Sequence, residues 1–456
     1  MESIWFCRER SSMGCQHTPA KWAFRSYFRA RAFGWRSSRL AIQRLKEAVS
    51  EINSNSRRVP IEAADGAVWL MERLWPAFEL IDTSSGALGG AASRALGELI
   101  PLVVKAPADQ RKRNRWLERL WRAIQDDGVS YLTPVEENWG ELCGGADIAS
   151  CWADKILPAL RSGWGDWRPG AYVKGTDLCL SSLLAAGRYQ ELRDVLALKQ
   201  HPVWPWPRYG IRALLAQRLF DEALAYAEAS RGLNIPDSAV DKECEAILLA
   251  AGRREEAYRQ YSLTANQADV GVVTFQRITR KYPEVDRRGV LADLADWSGE
   301  PGKWFAAAKN DGYLDMALEF AEIGRTEPRT LSRASRDFFN SEPLFAFRVG
   351  RLAVERILAG DGYEITALDL LGACDHFLAA ASRLGMAAEA KHELGQILAN
   401  YPHAPSLFRG LVTRRLDDGV PLRAPRPKAA ASEAHENAEG AEFHNAIDSV
   451  GRNAAT

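Results

Sequence analysis

The chain has 456 residues, 46% of them hydrophobic and 26% charged, with 59 basic and 59 acidic side chains. That is long for one compact core and points to two or three domains or an extended array. A net charge of zero excludes a whole-protein attraction to nucleic acid and leaves only local patches for such a role.

The first segment, residues 1–36, is basic and aromatic. From Lys21 to Lys46 it carries no acidic residue, while Trp22, Phe24, Tyr27, Phe28, Phe33 and Trp35 alternate with arginines. One reading is an amphipathic helix over about Ala20–Ala32. Its aromatics would dock on the first helices, leaving Arg25, Arg29 and Arg31 outside as the polar cap of a helical array. The other is a nucleic-acid arm in which Arg25, Arg29, Arg31 and Arg36 meet phosphates and the aromatics stack on bases.

Residues 37–165 read as a row of helices, with little strand signal. "RLAIQRLKEAVSEI" follows Ser38 with apolar positions on one stripe. Pro60 opens a second helix at its first position, and Pro76 should kink or split it. "AASRALGELIPLVVKA" and "ADQRKRNRWLERLWRAI" read as a helical hairpin, followed by "DIASCWADKILPAL". The Gly- and Trp-rich stretch between Ser162 and Gly175 marks the expected domain boundary. The last segment, 419–456, is rich in Ala, Pro, Glu and Asn and reads as disordered, apart from a transient helix around Phe443.

Between them, residues 172–416 repeat a plan. "LLAAGRYQEL", "LLAQRLFDEA", "LLAAGRREEA", "AKNDGYLDMA" and "SRLGMAAEA" each run from an apolar helix end through a turn residue to Ala or Leu five positions on. The turn residues are Gly187, Arg218, Gly252, Gly312 and Gly385. They are spaced 31, 34, 60 and 73 apart, so the last two intervals are near double the first two. A period near 34 is one helix–turn–helix unit. Glycine at the turn allows a left-handed cap, and the small residue beyond it lets two helices lie close.

"LLAAGRREEAYRQY" and "LLAQRLFDEALAYAEASRGLNIP" resemble tetratricopeptide-type repeats, with Pro236 and Pro402 shortly after second helices. The resemblance is degenerate: Glu245 stands where the family prefers a small residue. It implies an all-α, right-handed solenoid of antiparallel hairpins whose first helices line a groove. On that alignment Lys174, Asp177, Arg208, Arg212, Lys242 and Lys309 face the groove, whose basic middle would favour an acidic peptide or a terminal carboxylate. Trp204 and Trp206, in "VWPWPRYG", either rim the groove as anchors or pack an irregular link. The N-terminal half also resembles, weakly, the helical arrays beside SWIM-type zinc fingers, without their Cys-x-Cys and Cys-x-His motif.

No phosphate-loop, dinucleotide, zinc-protease or serine-hydrolase motif is present. The seven cysteines contain no Cys-x-x-Cys pair and fit reduced thiols. Cys374, His376 and His392 lack helical spacing for a metal, so no metal or cofactor is expected. The acidic pairs Asp126–Asp127 and Glu136–Glu137 read as capping and solvated surface. No apolar run reaches the ~20 residues of a membrane span, and residues 1–15 do not read as a signal peptide. The expectation is a cytoplasmic, non-catalytic scaffold that binds a protein or peptide, with a nucleic-acid-associated protein as the alternative.

Overall fold

The computed structural model describes residues 22–165, 173–199, 203–204 and 206–417. The expected disordered tail lies outside these residues. Among the described residues the regular structure is helical, with no strand and one isolated antiparallel bridge, Gly232–Ile235. The chain divides into two compact units, one ending at Pro236 and the other starting at Asp237.

In the first unit, α1 (Ser38–Ser56), α2 (Pro60–Phe78) and α3 (Ala87–Lys105) pack on one another, and α4 (Gln110–Asp126) packs on α2. Pro60 stands at the start of α2 as expected, and Pro76 falls in its last turn without splitting it. The hairpin expected of α3 and α4 is not the main contact of either. Trp116 donates its indole N–H to Asp65 at 2.5 Å, and Arg119 meets Glu72 at 2.9 Å, so the polar edge of α4 is matched to α2. By length and composition α3 could cross a membrane, contrary to the expectation that no segment is long and apolar enough. Leu88, Leu96, Leu99 and Val103 are buried, and its packing on α1 and α2 accounts for the apolar composition.

Before α1 there is no helix over Ala20–Ala32. Residues 22–37 form a 3-10 turn (Ala23–Ser26) and an irregular strap. Trp22, Phe24, Phe28 and Phe33 are buried, with Phe24 beside Trp69 and both Phe28 and Phe33 beside Phe78. Alternate burial of closely spaced bulky rings suits a strap better than a helix, where positions 22, 24, 28 and 33 do not share one face.

The unit continues through α5 (Thr133–Glu137), α6 (Trp139–Cys143), α7 (Ala146–Gly165), α8 (Thr176–Ala185), α9 (Tyr189–Ala197), α10 (Trp206–Ala216) and α11 (Phe220–Ala229). The stretch expected to separate domains falls mainly on residues outside the described ones. The helices flanking it, α7 and α8, pack together within this unit.

The second unit contains α12 (Asp237–Ala250), then α13 (Arg254–Ala257) and α14 (Leu263–Ala265) joined by a π-helical stretch Tyr258–Ser262. Next come α15 (Gly271–Lys281), α16 (Arg287–Ser298), α17 (Phe305–Asn310), α18 (Leu314–Ile323), α19 (Pro328–Phe338), α20 (Pro343–Leu358), α21 (Ala367–Leu384), α22 (Ala387–Asn400) and α23 (Ser406–Asp417). Glu245, the residue that departs from the repeat pattern, is 1% exposed. Its carboxylate accepts from Asn266 (2.7 Å), Tyr282 (2.7 Å) and Lys281 (2.8 Å), tying α12 to α15.

All five expected turn residues have left-handed backbone: φ is 70° at Gly187, 60° at Arg218, 76° at Gly252, 87° at Gly312 and 74° at Gly385. After each, the next N–H bonds the carbonyl five residues back, at 2.8–3.0 Å, the Schellman pattern. Gly360, with φ 87° and an Asp361-to-Arg356 bond of 2.9 Å, is a sixth such turn that the sequence plan omits. The long intervals contain additional helices, α15 and α16 before Gly312, α19 and α20 before Gly385. Alternate helices also pack: α8 with α10, α15 with α17, α19 with α21, α21 with α23, and α18 with α20 and α20 with α22.

Candidate functional site

In the first unit three of the groove residues, Lys174, Arg208 and Arg212, converge on a cluster of carboxylates that includes the fourth, Asp177. The short helices α5 and α6 set Glu136 and Glu137 against α8. Gly140 makes that approach close, since a Cβ there would lie 2.4 Å from the Ser181 carbonyl. Ser181 Oγ accepts from Gly140 N at 3.0 Å and donates to the Glu137 carbonyl at 2.9 Å. Glu136 is only 7% exposed, so this acidic pair is not the solvated surface expected of it. Burial, then Asp177, pushes the Glu136 carboxyl up to about 7, against the pull of Lys174 and the Gly175 N–H.

Asp177 accepts from the Tyr209 hydroxyl at 3.4 Å and from the Trp206 indole. Burial and the neighbouring Glu137 push it up to about 6. Burial also raises Glu137, while Arg208 and Arg212 oppose the rise. Lys174 donates to the carbonyls of Gln125 (2.7 Å) and Asp127 (3.2 Å), closing the end of α4. Asp127 is buried too, and caps the backbone N–H groups of Val129 (3.1 Å) and Leu132 (2.8 Å). Lys174, Arg208 and Arg212 therefore stand among Glu136, Glu137 and Asp177, and the cluster is close to neutral. Trp206 is buried and packs on Trp164 at 5.0 Å, while Trp204 is half-buried.

In the second unit Lys242 is exposed on α12. Lys309, on α17, is half-buried with its ammonium 5.6 Å from the Phe338 ring centroid. Burial lowers its pKa, Asp337 opposes that shift and Arg333 adds to it. Arg336 pairs with Asp337 at 2.8 Å, and both influence His376, whose Nδ1 meets Ser332 Oγ at 3.0 Å. Burial, then Arg336, lowers the His376 pKa. Lys309, Arg333, Arg336 and His376 thus line up across α17, α19 and α21. From the sequence, His376 is weighed only as a metal ligand, and neither Arg333 nor Arg336 is singled out. The signal was available: Arg329, Arg333 and Arg336 recur at i, i+4 and i+7 opposite buried Leu331, Ala334 and Ser335.

At the N-terminus Arg31 makes two bonds of 3.0 Å to Glu79, and Arg25 lies 5.1 Å from the Trp69 ring centroid. Arg29 and Arg36 are exposed, as are Tyr27 and Trp35. Cys143, Cys179 and Cys374 are buried free thiols, each pushed up to about 12 by burial. The chain matches no family model, no curated protein and no solved structure.

Proposed function

We propose that this chain is a cytoplasmic, non-catalytic scaffold. In this reading it is a right-handed solenoid of tetratricopeptide-like antiparallel hairpins that holds a protein or peptide partner. The observation that carries the reading is the repeated left-handed turn, with the same hydrogen bond at six positions, between helices whose alternate members pack together. Such stacking leaves one face of each first helix free to carry side chains for a partner. The row Lys309, Arg333, Arg336 and His376 supports an acidic partner more directly than the charge-balanced cluster around Arg208 and Arg212. The free thiols Cys143, Cys151, Cys179 and Cys374 fit a reducing compartment.

The second reading, contact with nucleic acid, draws on exposed Arg29 and Arg36 and on a stripe of exposed Arg111, Arg115 and Arg122 along α4. Burial of Trp22, Phe24, Phe28 and Phe33 removes most of the rings that base stacking would need. Capture of the full-length protein from cell extract, with and without nuclease, separates the two. A defined protein that survives nuclease and depends on Lys309 and Arg336 supports the scaffold. Recovery that nuclease abolishes, and that falls steeply with salt, refutes it.

A further inference from the structure

The row on α17, α19 and α21 has an excess of positive charge. Lys309, Arg333 and Arg336 face a single carboxylate, Asp337, and Arg333 is exposed with its Nε on the Arg329 carbonyl at 3.0 Å. His376 sits at the end of this row, where among the described residues no carboxylate is hydrogen-bonded to it. Its neighbours on α19 are Ser332, Arg336 and Asp337. On its other side, Asp375 of α21 is engaged by Arg415 of α23 at 3.1 Å.

The described chain leaves this region at Asp417, two residues after Arg415. Farther along the sequence, Glu433, Glu436, Glu439 and Glu442 recur every third residue, followed by Asp448. No Lys or Arg falls between 429 and 451. We propose that Lys309, Arg333, Arg336 and His376 form a carboxylate-binding site, and that its occupant is the acidic segment Glu433–Asp448 of the same chain. The proposal rests on the scaffold reading and names the chemistry its basic row selects.

Reach favours it. Neighbouring packed helices are ~8–10 Å apart, so the row from α21 to α17 extends about 20 Å. The roughly 18 residues from Arg415 to Glu433 can reach at most about 60 Å, at ~3.3–3.6 Å each, which exceeds the length of that row. Tethering makes the contact intramolecular, which favours pairs that would be weak between separate molecules. Guanidinium–carboxylate pairs supply the attraction, and a carboxylate beside His376 favours its protonated form.

Zero-length carbodiimide cross-linking of the full chain at low salt tests this, because it joins an ammonium to a carboxylate only in contact. The expected product is an amide between Lys309 and a carboxylate of 433–448, formed within one chain when isotopically light and heavy chains are mixed. Arg333→Ala with Arg336→Ala should cut its yield roughly tenfold, with helicity unchanged. NMR titration supplies a second readout: His376 should titrate lower once Glu433, Glu436, Glu439 and Glu442 are changed to Gln. A Lys309 that links elsewhere, links only between chains, or links equally in the arginine variant overturns the proposal, as does an unmoved His376. If nuclease-resistant partner capture persists while these signals are absent, this inference alone falls. Failed capture with the signals intact removes the scaffold reading instead.

Discussion

Replacing Glu136 by Gln should change how stability depends on pH, with a sign opposite to that of a salt-bridged carboxylate. In the folded chain burial raises this carboxyl from 4.5 to about 7, whereas the unfolded chain ionises it in the ordinary range. Between those pH values the unfolded state binds fewer protons than the folded one, so stability falls as pH rises. Integrated over that window, the carboxylate of Glu136 costs the fold roughly 3 kcal/mol at pH 8 relative to pH 4. Gln keeps an acceptor for the Gly175 N–H and cannot ionise. The wild-type and Glu136→Gln proteins should therefore differ by about 3 kcal/mol more at pH 8 than at pH 4, in favour of Gln. Urea unfolding of both proteins at closely spaced pH values measures this, and taking the difference cancels the titrating groups that do not interact with Glu136. A difference that stays flat from pH 4 to 8 would refute the account of Glu136 as a buried carboxyl beside Asp177.

Other consequences concern the parts that hold the array together. Gly187→Ala and Gly252→Ala should each cost about 1 kcal/mol in denaturant unfolding. A Cβ at either has no heavy atom within 4 Å, so the loss is conformational, and Arg218→Gly should move the other way. Glu245→Ala leaves Tyr282 and Lys281 without their acceptor and should lower stability by about 3 kcal/mol, seen as a reduced urea midpoint. Asp369, held by Arg329 at 2.9 Å and in a capping box with Thr366, has its pKa depressed, chiefly by Arg329. The stability it adds is present above the ordinary carboxyl range and lost as pH falls through its depressed pKa. Asp369→Asn should thus match wild type at strongly acid pH and fall behind by about 1 kcal/mol at neutral pH.

Much of the architecture is legible because local chemistry dictates it. A glycine after an apolar helix end has few alternatives to a left-handed cap, and Arg218 adopts one because the helices on both sides match those at the glycines. The strap at residues 22–37 was harder to foresee, since its aromatics follow the pockets beside Trp69 and Phe78 rather than a helical period. Pairing of α4 with α2 instead of α3 depends on Asp65 and Glu72, whose partners lie 47 to 51 residues away in sequence. For the candidate site, sequence spacing brought Lys174, Asp177, Arg208 and Arg212 into view. Glu136 and Glu137 read as solvated surface because nothing in "TPVEENWG" reveals that Gly140 lets α8 press onto them.

The central claim is that the basic row of the second unit is the partner's carboxylate site, for which the chain's own segment 433–448 competes. Its most direct test is the affinity of the captured partner, by calorimetry, for full-length wild type, Arg333→Ala with Arg336→Ala, and Arg29→Ala with Arg36→Ala. The account predicts a loss of roughly tenfold or more for the first variant and wild-type affinity for the second. Unchanged binding to the first and loss with the second would contradict it and put the working surface at the N-terminal strap.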